Sequence, residues 1–304
     1  MGEKEKRLGE LGEKVVSKIL NKIGWSYLQN FDIPCIYSEK HKTSKNDRRT
    51  HGIDFLSYLK NPLINDYLET VIISSKYREQ YKSELREFLT DISTTTECLR
   101  KNKDYKHPLL SGKKHAYCGV VFWLAHGEDP KAEINTSETE FRFRQEIKYD
   151  YTFLVDNKRA NFLIGAIDFA NSLASDAQTA FYYQDTGLNV PGFHGRDISG
   201  SQLPLNLINS RILPFKLSNQ DGDTLLLTIM DDFHINNFLR LLGLVQNMTH
   251  SWANRIIISF PDYHHAKHQS DVDKAVQRFA DRSFQKKLSV NSFQMGDFKR
   301  FEEE

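Results

Sequence analysis

Cysteine is scarce: only Cys35, Cys98 and Cys118 occur in 304 residues. Three widely spaced thiols give no disulfide framework and no zinc-ribbon spacing, and they fit a reducing compartment. Long apolar runs are missing as well. Nothing approaches the roughly 18 residues of a membrane-spanning helix, and mean hydropathy is −0.55. The opening MGEKEKRLGELGEK is charged where a secretion signal carries its apolar core, so a cytoplasmic chain without membrane association is expected. Neither GxxxxGK[ST] nor GxGxxG appears, which removes the usual phosphate loops for triphosphates and dinucleotides. There is no internal repeat and no low-complexity tract.

What is present is an ordinary globular composition, 39% hydrophobic and 27% charged, with a net charge of +1. That balance conceals an asymmetry. Residues 1–115 carry 22 Lys and Arg against 16 Asp and Glu, while the remainder carries 19 against 24. A basic front half permits a local polyanion site without general stickiness.

Periodicity predicts a helix over Lys6–Gly24, with Leu8, Gly12, Val15, Val16, Ile19, Leu20 and Ile23 along one stripe. Strands are predicted at Trp25–Ile33, His51–Leu59 and Glu69–Tyr77, the last two joined by a Pro-containing turn. A helix is predicted from Arg78 to about Leu99. His115–His126 is a continuous apolar run, as in a strand buried on both faces. The order helix, three strands, helix, strand implies an α/β fold with a mixed sheet. Further on, strands are predicted at Tyr151–Val155, Thr179–Tyr183, Arg211–Leu217, Thr224–Met230 and Arg255–Phe260. Helices are predicted at Asn161–Leu173, Asp232–Met248 and Asp271–Lys287. The expected division is a domain over residues 1–175 and a C-terminal α/β extension over 176–304.

Chemistry concentrates between Glu13 and Lys76. Asp54 lies inside the apolar strand HGIDFL, where an uncompensated carboxylate is costly. Lys76 ends VIISSKY, and period two puts Ile72, Ser74 and Lys76 on one face. If the two strands form an antiparallel hairpin, Asp54 and Lys76 converge, a pairing suited to metal-assisted hydrolysis of phosphodiesters. Glu13 falls on the flank of the helical stripe, looking past its buried edge. The plainer reading of Asp54 and Lys76 is a structural ion pair. Lys42, Lys45, Arg48, Arg49 and His51, with His41, fall in or next to a loop without apolar residues that precedes Asp54. They are expected to contact a phosphate backbone, the plainer alternative being a solvated loop. Tyr263–His268, YHHAKH, reads as a solvated loop rather than a metal site, and Cys118 as inert packing. The helix around Phe238, Leu241, Leu242 and Val245 has an apolar face for the core or for a partner.

The segments GELGEKVVSKILNKIGW, HGIDFL and VIISSKY together resemble the PD-(D/E)XK nuclease superfamily, which has the restriction-endonuclease-like fold. The resemblance spans about residues 7–124 and matches Glu13, Asp54 and Lys76 to the helix glutamate, the strand aspartate and the lysine. It implies a DNA endonuclease dependent on Mg²⁺ (or Mn²⁺) that leaves a 5′-phosphate. Glu13, Asp54 and the Ser75 carbonyl would hold the metal, and Lys76 would position water. It departs from the family at Ser74, where the second acid belongs. Three readings stay open: a weaker metal site without that acid, an acid supplied by Glu79 from the following helix, or a degenerate DNA- or partner-binding subunit. The chain is also similar in style to the nuclease subunit of two-gene bacterial antiphage systems, which implies a second protein subunit or a homo-oligomer.

Overall fold

Helix α1 (Glu3–Lys22) forms along the predicted stripe, and Val15, Val16, Ile19 and Leu20 are all essentially inaccessible. Gly24, in a left-handed conformation at φ 74°, ends that run. The computed structural model describes residues 3–42, 47–82, 84–109, 113–134, 147–174, 178–189, 197–220, 222–249, 252–278 and 282–303. They divide into two compact units, Met1–Ala160 with Phe298–Glu304, and Asn161–Asp297.

The first unit is built on a five-stranded sheet in the order β1-β2-β3-β4-β5. Its strands are β1 (Tyr27–Pro34), β2 (Thr50–Lys60), β3 (Tyr67–Arg78), β4 (Lys114–Ala125) and β5 (Tyr151–Val155). The first three form an antiparallel meander, while β4 and β5 run parallel to β3. A parallel step needs a crossover, which α2 (Leu85–Leu99) supplies between β3 and β4. On α2, Leu85, Phe88, Leu89 and Ile92 pack against Val121 and Trp123. Its last turn, Cys98 and Leu99, packs with Ile33, Ile53, Leu56 and Ile72. Strand β4 is buried from Ala116 to Ala125, as its unbroken apolar run requires of an interior strand. Arg78, predicted as the start of a helix, instead completes β3, residues 79–82 form its exit, and the helix begins at Leu85.

Helix α3 (Asn157–Leu173) carries the division between the units. The second unit has a six-stranded sheet in the order β11-β10-β9-β8-β6-β7. Its strands are β6 (Gln178–Tyr182), β7 (Ser199–Gly200), β8 (Ile212–Asn219), β9 (Gly222–Ile229), β10 (Arg255–Phe260) and β11 (Leu288–Ser292). Helix α4 (Ile235–Thr249) turns Phe238, Leu241, Leu242 and Val245 into the core with Leu225, Leu227, Ile256 and Ile258. The single helix expected at Asp271–Lys287 is two, α5 (His265–Val276) and α6 (Arg282–Lys287), followed by the parallel edge strand β11. Only Leu288 and Val290 are apolar in LSVNS, too little alternation to reveal an edge strand in advance. Tyr263–His268 is not a loop throughout: His265 opens α5, and His268 stacks on Phe233. A short helix α7 (Arg300–Glu303) belongs to the first unit. Among the described residues no helix is long and apolar enough to cross a membrane.

Candidate active site

The antiparallel register of β2 and β3 pairs Phe55 with Ile73, so Asp54 and Ser74 come level one step further on. All three neighbours of Asp54 approach the same oxygen. The Ser75 N–H donates to Oδ2 at 2.7 Å and the Ser74 hydroxyl lies at 3.4 Å. Lys76 Nζ stands 3.9 Å from it. Asp54 and Lys76 keep 27% and 23% of their side-chain surface. The pair is therefore open to solvent on one side, unlike a closed internal ion pair. The ammonium also sits 5.5 Å from the centre of the Phe88 ring, and its field over that ring face steadies it.

Glu13 reaches this corner because Gly12 lets α1 lie against β3. A Cβ on Gly12 would fall 2.4 Å from Tyr77 Cβ and 3.2 Å from Ser75 Oγ. The Glu13 carboxylate accepts a hydrogen bond from Asn30 Nδ2 at 2.8 Å. Asn30 lies on β1 between the pairs Gln29–Phe55 and Phe31–Ile53, level with Asp54. Its φ of 51° is left-handed, a conformation asparagine tolerates better than most residues. Burial pushes the Glu13 carboxyl above its ordinary range against the pull of the Asn30 bond; Asp54 and Glu10 add to the rise and Lys76 opposes it. Glu13 thus feels the charges of both Asp54 and Lys76, whose positions on β2 and β3 bring them together.

Ser74 is nearly buried, 9% exposed. It lines a cavity of about 20 Å³ together with Gly52, Asp54, Lys76, Asp91 and Thr95. Asp91 is the carboxylate that inspection of the sequence passes over. Its signal is the i, i+4 pair Asp91 and Thr95 beside the Phe88–Ile92 stripe of α2. Glu79, the expected substitute acid, is not on a helix. It is exposed just beyond β3, where its carbonyl accepts the Gly127 N–H at 2.8 Å.

The basic loop residues separate into two groups. Lys42 and Arg49 are exposed, Lys42 being 3.8 Å from Asp47. Arg48 is half-buried and turned inward, donating to Asp91 at 2.6 Å and to the Thr50 carbonyl at 3.0 Å. Lys45 lies outside the described residues. His51, expected along a phosphate backbone, is fully buried, with its ring against His41 and the Thr95 hydroxyl. It cannot meet a polymer there. His41 is likewise 4% exposed.

A mixed sheet flanked by α1 and α2, with an aspartate and a lysine meeting at the divergence of β2 and β3, is the restriction-endonuclease-like arrangement. No curated protein matches the chain. The family profile described as "GAPS4 protein PD-(D/E)XK nuclease domain" matches residues 1–159, most of the first unit and just over half of the sequence. The chain therefore belongs to the GAPS4 PD-(D/E)XK nuclease family, whose members carry a nuclease domain acting on nucleic acid.

Proposed function

We propose that the chain is a DNA endonuclease that hydrolyses phosphodiester bonds with Mg²⁺ (or Mn²⁺) in antiphage defence, the setting with which its family is associated. The observation that carries the reading is the solvent-open corner where Asp54 Oδ2 takes the Ser75 N–H and faces the Lys76 ammonium, with Glu13 bonded to Asn30, which lies level with Asp54 on the neighbouring strand. The donors suit a hard divalent cation: two carboxylates, Glu13 and Asp54, and the Ser75 carbonyl are all oxygen. When bound, the ion would polarise the scissile phosphate and acidify a water. The Ser75 N–H and Lys76 hold the Asp54 carboxylate in place. Lys76 orients the attacking water and balances negative charge as it develops on phosphorus. Asn30 keeps Glu13 pointed at the same corner. Lys42 and Arg49 steer the backbone by charge without reading sequence, and the product carries a 5′-phosphate. Asp91 is the candidate for the third acid, since it lines the same cavity as Asp54 and Ser74. Residues 176–304 would serve as the platform for a second subunit or for self-association.

A second reading, a degenerate DNA- or partner-binding subunit, is favoured by one observation: Ser74, a hydroxyl, stands where the family places a carboxylate. A plasmid-nicking assay with Mg²⁺ separates the two, using wild type beside Asp54→Ala and Lys76→Ala. Cutting that falls at least about 100-fold in both variants supports the enzyme, and cutting that survives in both refutes the site. Salt-sensitive DNA binding without cutting, with or without a partner, supports the second reading.

A further inference from the structure

Apart from the Asp54 corner, the first unit gathers a second group of chemically capable side chains, and it is made of softer atoms. Cys35 follows β1, His41 sits in the turn after it, His51 is on β2, and Cys98 ends α2. One ligand atom from each lies within 4.8 Å of the other three. The individual separations are Cys35 Sγ to Cys98 Sγ 4.0 Å, each sulfur to His41 Nδ1 3.5 Å, and His41 Nδ1 to His51 Nε2 3.3 Å.

These lengths can be set against a tetrahedral shell. With metal–sulfur bonds of about 2.3 Å and metal–nitrogen bonds of about 2.0–2.1 Å, the edges of such a shell are about 3.8 Å for S–S, about 3.5 Å for S–N and about 3.3 Å for N–N. Four of the six edges follow that pattern, including its order, and the two from His51 Nε2 to the sulfurs lie within 4.8 Å. A disulfide does not account for it, because sulfurs 4.0 Å apart are unbonded.

The outward-facing nitrogens are also held. His41 Nε2 lies 3.0 Å from Glu97 Oε2. A carboxylate only accepts, so the ring proton sits on Nε2 and the Nδ1 lone pair points inward. His51 Nδ1 lies 3.2 Å from the Thr95 hydroxyl, which can accept its proton and leave Nε2 as the inward lone pair. A carboxylate behind a ligating imidazole, as Glu97 stands behind His41, is the usual outer shell of a zinc site, and the Thr95 hydroxyl takes the same place behind His51. The Ile36 N–H donates to Cys98 Sγ at 3.4 Å, a bond that a thiolate strengthens. Lys40 in turn neutralises Glu97 at 2.8 Å. Without an ion, two inward imidazole lone pairs would face each other at 3.3 Å, with only weak thiol donors between them.

We propose that Cys35, His41, His51 and Cys98 form a structural zinc site. Two thiolates offset the charge of the ion, which suits a position where His51 and Cys98 are fully buried. Four protein ligands close the shell, so the site holds structure and leaves no position for substrate. It pins the β1–β2 connection, which carries Lys42, Arg48 and Arg49, to the end of α2. Thr95 both supports His51 and lines the cavity beside Asp54, so the zinc braces one wall of the nuclease corner. The soft donor set separates this site from the all-oxygen Asp54 corner. Their failures are therefore distinguishable.

The test is the metal content of the full-length chain, purified without chelator, together with the spectrum of the cobalt-loaded form. We expect about one zinc per chain, retained in Asp54→Ala. Reloading a stripped sample with Co²⁺ should give the intense visible bands of a tetrahedral site and thiolate-to-cobalt charge transfer. Zinc should fall at least about tenfold in Cys98→Ser. Because Cys98 is in the core, the half-exposed Cys35→Ser is the second variant. With its circular dichroism unchanged, it should bind Zn²⁺ at least about tenfold more weakly against a chromophoric chelator. A folded wild-type chain that takes up neither Zn²⁺ nor Co²⁺ would overturn the proposal. So would a cobalt spectrum without sulfur charge transfer, or a Cys35→Ser chain that binds zinc as tightly as wild type.

Discussion

Gly9 and Gly12 lie one turn apart on α1, and alanine at the two positions should act in opposite directions. A Cβ on Gly9 meets nothing within 4 Å. Alanine there gains only the helix preference over glycine, about 0.5–1 kcal/mol. For a unit of this size that raises the melting temperature by about 1–4 °C. At Gly12 the same gain is set against a contact of 2.4 Å with Tyr77 Cβ, more than 1 Å inside an ordinary carbon–carbon contact of about 3.5–4.0 Å. Tyr77 Cβ cannot swing aside, being fixed to the backbone of β3. Its ring is held as well, stacked 5.6 Å from His126 and edge-on to Phe298, with its hydroxyl bonded to Glu302. The helix must therefore lift, at an overpacking cost of about 1–3 kcal/mol. Gly12→Ala should then melt about 2–12 °C below Gly9→Ala. Because Glu13 is the next residue, lifting α1 also carries its carboxylate away from Asp54, so cleavage should fall further than the drop in stability explains. Paired thermal melts and the nicking assay read both effects. Melting temperatures within a degree of each other would refute the Gly12 clash.

Ser74→Asp should restore the missing carboxylate and tighten divalent-metal binding at the Asp54 corner, measured by the Mg²⁺ concentration at half-maximal nicking; an unchanged or higher requirement would count against Ser74 as the vacant acid position. Burial pushes the Glu69 carboxyl upward, opposed by hydrogen bonds from Tyr151 and Asn61, and its Oε2 has no partner among the described residues. The folded chain thus keeps a proton that the unfolded chain releases near pH 4.3. Stability from this group is full below that pH and is lost as pH rises towards the folded pKa, by at most about 1.4 kcal/mol per pH unit. Glu69→Gln should remove that slope, and urea midpoints for the two proteins that stay parallel from pH 4 to 7 (roughly the window set by the ordinary carboxylate value) would contradict it. Combined Lys42→Ala and Arg49→Ala should weaken DNA binding evenly across sequences and reduce the salt slope by up to about 0.9 for each phosphate that is no longer neutralised; a slope equal to that of wild type would take those side chains off the DNA path.

The order of elements in the first unit and the meeting of Asp54 with Lys76 were readable in advance, because both leave local marks. An amphipathic stripe predicts α1, an unbroken apolar run predicts β4 as an interior strand, and one aspartate in HGIDFL stands out against its neighbours. Where local marks are weak, the structure decided: β11 has two apolar residues in five, and residues 78–82 complete β3 and its exit although their pattern continues into α2. The loop from Ser38 to Thr50 shows the limit most clearly. Its composition is that of a solvated basic segment, yet His41 within it and His51 just after it are in the interior. Cys35 and Cys98, 63 residues apart, meet beside them. A pattern in the chain reports the period of one element and the face it buries. The meeting of distant thiols and imidazoles depends on the β1–β2 register and the docking of α2, which are properties of packing and leave no trace in spacing.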